Sequence, residues 1–191
     1  MEEKRSCRLV LKTSDLTTNA STNIGTCDQF RTSFTWNNIN LRMLLGDMYD
    51  QYDYFNISLI SISSSLTQAL AAGATADDKL VFVKMSGLPF INQTFQQSTG
   101  NNGTFAYVST LSIPLTANTS TQFYNNLGNV CTFNKDQDQC NINISFFRVL
   151  DDTRPALNAG NINPQFSFIF VITGINKPDN PDRINHLMRI K

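Results

Sequence analysis

The chain has 191 residues, 41% of them hydrophobic and 14 of them Phe, and its 15 Lys and Arg balance 15 Asp and Glu. A chain of this length buries well over half of its unfolded surface, so one core suffices without a metal or disulfide framework, and this apolar content excludes a disordered polymer. Zero net charge excludes a general nucleic-acid binder, which needs excess Lys and Arg against phosphate, and no run of about 18 uncharged apolar residues marks a membrane span.

Residues 1–6, "MEEKRS", read as an N-terminal arm carrying Lys4 and Arg5. The apolar run around Leu9 to Leu11 is too short for a secretory leader, so synthesis in a cytosolic compartment is expected. "CRLVLKT" then predicts a first strand. From Asp28 to Trp36, Phe30, Phe34 and Trp36 alternate with Gln29, Arg31, Ser33 and Thr35, the period of a half-buried strand.

Leu41, Leu44, Leu45 and Met48 follow at helical spacing, predicting one short helix from Leu41 to Tyr52 across an end of the domain, with Asn37, Asn38 or Asn40 as its cap. On that helix Asp47, Asp50 and Asp53 would line one side, a solvated acidic face or a salt-bridge partner for a neighbouring subunit. "FNISLISIS" (55–63) alternates again, but its apolar phase shifts between Leu59 and Ile60, which predicts either a bulge or a strand buried on both faces. The Ala-rich stretch 65–78 predicts a helical turn or a loop that Gly73 releases.

Strands are next expected from Lys79, and over 103–115, where Phe105, Tyr107, Leu111, Ile113 and Leu115 share a face; "STGNNGT" (98–104) between them reads as a turn. Two weaker segments, 121–126 and 129–134, surround Gly128. "TFNKDQDQ" between Cys131 and Cys140 reads as a polar hairpin tip. Asn134, Asp136 and Asp138 there begin a calcium-loop spacing, but Gln139 and Ser145 occupy the positions that need Gly and a bidentate Glu. Ile142, Ile144 and Phe146 mark another strand, and "QFSFIFVITG" (165–174) a last one, apolar on both faces. Residues 177–191 carry two Pro and no strand pattern, and read as a C-terminal arm with Arg183, His186, Arg189 and Lys191.

About eight strands separated by Gly, Asn, Pro and Ser loops predict an all-β fold: one domain over 7–176, a single eight-stranded antiparallel jelly-roll sandwich with a short helix at one end and extended terminal arms. The chemistry is sparse. His186 is the sole histidine, which removes Ser/His/Asp and Cys/His constellations from the body of the domain, and no phosphate-loop, hydrolase or dinucleotide motif occurs. No catalytic residue, cofactor or metal is expected, and the chain reads as a non-enzyme. The spacing of Cys7, Cys27, Cys131 and Cys140 fits no zinc pattern; they are reduced thiols in a cytosolic protein, with pairing of Cys131 and Cys140 across the hairpin as the alternative. The six Asn-x-Ser/Thr triplets, at Asn19, Asn56, Asn92, Asn102, Asn118 and Asn143, follow from an Asn-, Ser- and Thr-rich composition.

"SCRLVLKTSDLTT", "FTWNNINLRMLLGDMYDQYDYFNISLISIS", "ISFFRVLDD" and "FSFIFVITGI" together resemble single-jelly-roll capsid proteins of icosahedral large DNA viruses, above all the vertex (penton) proteins of the algal-virus and giant-virus group. The block from Phe34 to Ser63 is the most specific part. The resemblance implies a homopentamer around each fivefold axis that contacts major capsid trimers and other minor capsid proteins, in a virion assembled in the host cytoplasm. It brings no catalytic residues. By position, Lys4, Arg5, Arg183, His186, Arg189 and Lys191 on the arms, with Asp47, Asp50 and Asp53, become candidate subunit-interface residues. No insertion is long enough for an outer host-binding domain. The alternatives are another minor capsid protein and a lectin-like jelly roll, in which Tyr124 and Phe95 on loops would stack on sugars.

Overall fold

The computed structural model describes residues 5–18, 24–28, 32–66, 79–91, 94–98, 101–112, 118–123, 131–135, 137–149, 151, 153–155 and 165–175. Alternating apolar residues build strands throughout: β1 (Ser6–Lys12), β2 (Thr17–Thr18), β3 (Gly25–Cys27), β4 (Ser33–Asn40), β5 (Tyr54–Leu66), β6 (Leu80–Ser86), β7 (Thr94–Ser98), β8 (Asn101–Ser112), β9 (Asn118–Phe123), β10 (Cys131–Asn134), β11 (Gln139–Arg148) and β12 (Gln165–Ile175). Two short helices, α1 (Leu41–Leu45) and α2 (Asp47–Gln51), join β4 to β5.

Two antiparallel sheets result, the sole parallel pairing among the described residues being that of β2 with β3. The first has the order β1-β12-β5-β10, with β9 also on β5; the second runs β2-β3-β4-β11-β6-β8-β7. About eight strands were expected and twelve are described. The difference has two sources. β9 and β10 pair with successive stretches of β5, Ser61 to Leu66 and Tyr54 to Ile57, so they are one strand position in two pieces. The others are short pieces toward the two ends of the second sheet, β2, β3 and β7, which local alternation is too brief to mark.

β12 shows how the core forms. Its Phe166, Phe168, Phe170 and Ile172 are buried, while Ser167, Ile169, Val171 and Thr173 between them are half-buried on the outer side. The inward phenylalanines meet Phe34 and Trp36 of β4 and Phe146 of β11 across the space between the sheets: Phe146 lies 5.1 Å from Phe166, and Trp36 sits edge-on to Phe168 at 6.2 Å. Tilted and edge-to-face aromatic pairs add attraction beyond the area that they bury.

The phase shift at Ile60 is a bulge. Ile169 pairs with Ser61 and Phe170 with Leu59, which leaves Ile60 outside the ladder and lets Leu59 and Ile62 both face inward. Of the strand expected from Asp28, residues 29–31 lie outside the described residues and β4 begins at Ser33; just before it the Asp28 carboxylate accepts hydrogen bonds from the backbone N–H groups of Thr32 (2.6 Å) and Ser33 (2.9 Å). The turn expected over 98–104 is tighter than that, since Ser98 already pairs with Asn101. Residues 67–78 of the Ala-rich stretch lie outside the described residues, and Ser65 and Leu66 belong to β5.

The segment between Cys131 and Cys140 is not a hairpin tip. β10 belongs to the first sheet and β11 to the second, so the chain here crosses from one sheet to the other. All four cysteines are thiols, with no disulfide between Cys131 and Cys140. Burial pushes both of these thiols up to about 11 from the ordinary 9.0, because the core disfavours the thiolate. A raised native pKa stabilises the fold below the unfolded pKa and ceases to do so as pH climbs through the native one. The urea midpoint therefore falls between about pH 9 and pH 11, and falls less steeply in Cys131→Ala/Cys140→Ala.

Candidate subunit-interface corner

The link from β4 to β5 must turn the chain from one sheet to the other, and its sequence does so with two helical turns. The Asn40 side chain accepts from the Met43 backbone N–H at 3.0 Å and caps α1. Gly46, at φ 54, ψ −135, ends α1 and starts α2, so the single helix expected over 41–52 is broken in its middle. Leu41, Leu45, Met48 and Tyr49 are buried, and α1 packs against β1, β4 and β11.

The break redistributes the acidic residues. Asp47 and Asp50 are exposed in the first turn of α2, whereas Asp53 lies beyond the helix, between Tyr52 and β5. The three carboxylates occupy one corner, but not one helical face. Asp50 lies 3.8 Å from Arg42, both well exposed, a pairing that water and salt leave weak. Asp53 lies 3.7 Å from Lys135.

Tyr49 organises the inner side of this corner. Its hydroxyl is 2.5 Å from an Asp138 carboxylate oxygen and 3.3 Å from the Lys135 carbonyl. Lys135 donates to the Tyr49 carbonyl at 2.7 Å, and the Leu41 N–H donates to the Asp138 carbonyl at 2.8 Å. The cationic groups of Arg42 and Lys135 lie 4.9 and 5.5 Å from the Tyr49 ring. The hydrogen bond to Asp138 holds the phenol proton and raises the Tyr49 pKa, with burial and the Asp138 charge acting in the same direction. The helices and the β10–β11 crossing are thus tied into one unit.

Of the candidate interface residues, Asp47, Asp50 and Asp53 meet at this corner. Arg5 is exposed at the entry to β1, where its carbonyl accepts the Gly174 N–H at 3.2 Å. Lys4, Arg183, His186, Arg189 and Lys191 lie outside the described residues, as does Tyr124. Phe95, taken above as a loop aromatic, is in β7.

Sequence reasoning missed Arg42, Tyr49, Lys135 and Asp138 as a unit, since they come from segments joined only by the fold. It also missed Lys84, a lysine inside the apolar run "VFVKMS" that could have drawn notice. Lys84 is buried on the outer side of the second sheet, 4.4 Å from the Phe147 ring, against which Arg154 also lies at 4.2 Å. Arg154 donates to the carbonyls of Thr32 and Phe146. Beside them Asn143 donates to Ser33 and Thr35, and Ser145 donates back to Asn143.

What the corner offers chemically is charge and hydrogen-bonding surface. Among the described residues no group of three or more His, Cys, Asp or Glu is placed to hold a metal ion, and no helix is long and apolar enough to cross a membrane. Comparison with models of protein families and with curated proteins gave no significant match to this chain.

Proposed function

We propose that this chain is a structural virion protein, the penton (vertex) subunit of an icosahedral capsid, with a single jelly roll as its fold and no catalytic role. The observation that carries the reading is the strand order. With β2, β3 and β7 set aside and β9 and β10 counted as one position, the successive strands fall into the sheets 1-8-3-6 and 2-7-4-5. That order fits the double Greek key of a jelly roll, an architecture of viral capsid and lectin domains, and so supports the reading. The resemblance of the Phe34–Ser63 block to vertex proteins of large DNA viruses supports the capsid reading over the lectin one.

Composition supports it further. A neutral surface rich in Asn, Ser and Thr makes many hydrogen bonds between copies without accumulating repulsion, which suits a ring of identical subunits. In this reading the ring sits at a fivefold axis of a virion assembled in the host cytoplasm, contacts major capsid trimers, and uses its terminal arms toward neighbours.

Light scattering on the purified chain over a range of concentrations tests the proposal. The expected result is a five-chain particle that forms as concentration rises. A chain that remains single and binds an arrayed glycan saturably replaces the vertex reading with the lectin-like one.

A further inference from the structure

The two outer sheet faces differ. On the second sheet, the outer positions Lys84, Ser145 and Phe147 are buried, and Arg154 from the segment after β11 lies over the Phe147 ring. On the first sheet, Ser58 and Ser61 of β5 are buried, but at the edge Arg8, Val10 and Lys12 of β1 are exposed, and Ile169, Val171 and Ile175 of β12 are only half-buried. This open face has a one-sided charge. The strands β1, β5, β9, β10 and β12 contain Arg8 and Lys12 and not one Asp or Glu.

The same chain carries the complement. At the α1–α2 corner Asp47 and Asp50 are exposed, and beside them Met43 is 82% exposed, an apolar side chain with little of its surface covered. We propose that a second copy of this chain covers the outer face of β1 and β12, its α1–α2 corner placing Asp47 and Asp50 against Arg8 and Lys12 and Met43 against Val10, Ile169 and Val171. The proposal rests on the vertex reading and names the surfaces that the ring would use.

The argument is one of matching properties. Exposed ion pairs add little affinity singly, but opposite potentials on two patches set orientation and discourage wrong contacts, while the apolar residues supply area to remove from water. A sheet face and a helical corner are different surfaces of one subunit. Their contact is therefore heterologous, the kind that closes into a ring when its rotation allows. It also gives the corner a reason to be stiff: Tyr49, Lys135 and Asp138 hold α2 in place, so Asp47 and Asp50 are presented without further ordering.

Charge reversal tests it. Arg8→Glu/Lys12→Glu and Asp47→Lys/Asp50→Lys each put like charges into the contact, and a chain with all four substitutions restores opposite ones. All four side chains are exposed, so thermal unfolding should stay close to that of the unaltered chain. In light scattering, each pair should raise the concentration needed for assembly roughly tenfold or more, and the four-fold variant should recover most of that loss.

Five-chain particles that ignore both reversals overturn this interface and leave the vertex reading standing. A different stoichiometry, weakened by each reversal and restored by their combination, supports the interface and overturns the vertex reading. A chain that stays single at every concentration overturns the interface.

Discussion

Replacing Phe168 with alanine lowers the unfolding free energy by about 3–5 kcal/mol, read as a fall in the urea midpoint. Phe168 is fully buried at the centre of β12, and its ring lies within 6.2 Å of those of Phe34, Trp36, Phe146 and Phe166. Those residues come from β4 and β11 of one sheet and β12 of the other, so truncation leaves a void between the sheets that neither can close without moving away from its own ladder. Against a total stability on the order of 5–15 kcal/mol, the loss is a large fraction. Val10→Ala on neighbouring β1 trims an exposed side chain, and should change the unfolding free energy of the isolated chain by no more than about 0.5 kcal/mol. Equal effects at the two positions would mean that the shared core does not hold the sheets together.

Gly87→Ala is expected to cost about 3 kcal/mol by a different route. Gly87 follows β6 with φ +96, and a Cβ there would stand 1.6 Å from the Asn141 carbonyl oxygen and 2.8 Å from its carbon. Both atoms are backbone, at the point where β11 shifts register against β4 and Asn141 accepts from the Asn38 N–H. Relief therefore requires moving a strand, not a side-chain tip. Gly46→Ala is the comparison, since Gly46 also has positive φ, but a Cβ there meets nothing within 4 Å. It should cost only the backbone strain, about 1–2 kcal/mol. Denaturation curves in which the two glycines behave alike would remove the argument from overlap.

These cases mark what was legible in the sequence. Period-2 alternation exposed β4 and β11 and their inward residues because one face of each strand meets the core, whereas β12, apolar on both faces, was readable as a strand but not as to which face turns inward. The break in phase at Leu59 and Ile60 left a bulge or a strand buried on both faces as its explanations, and the bulge is the one present, because inserting one residue moves every later side chain to the other face. The helix cap was readable as one of Asn37, Asn38 and Asn40, and the fold takes the last of them. What was not readable depended on distant chain. Cys131 and Cys140 flank a polar stretch as a hairpin would, but whether the next strand joins the same sheet is decided by β4, β5 and β6. At the corner, Asp47, Asp50 and Asp53 had helical spacing, while Gly46 broke the helix and Tyr52 ended it. Tyr49 is 86 residues from Lys135 and 89 from Asp138 in the chain, beyond any local pattern.

The 13-residue β5 is held unevenly along its length. One flank follows β12 from end to end, interrupted at Ile60, while the other is covered by β10 up to Ile57 and by β9 from Ser61. On the β12 flank the slip leaves Ile60, near the middle of the strand, without a rung. Ordinary strands fray from their tips inward. β5 is clasped toward both tips and misses a rung of the β12 ladder at Ile60, so a load that bends the sheet would turn it about that bulge while the rungs on either side stay intact.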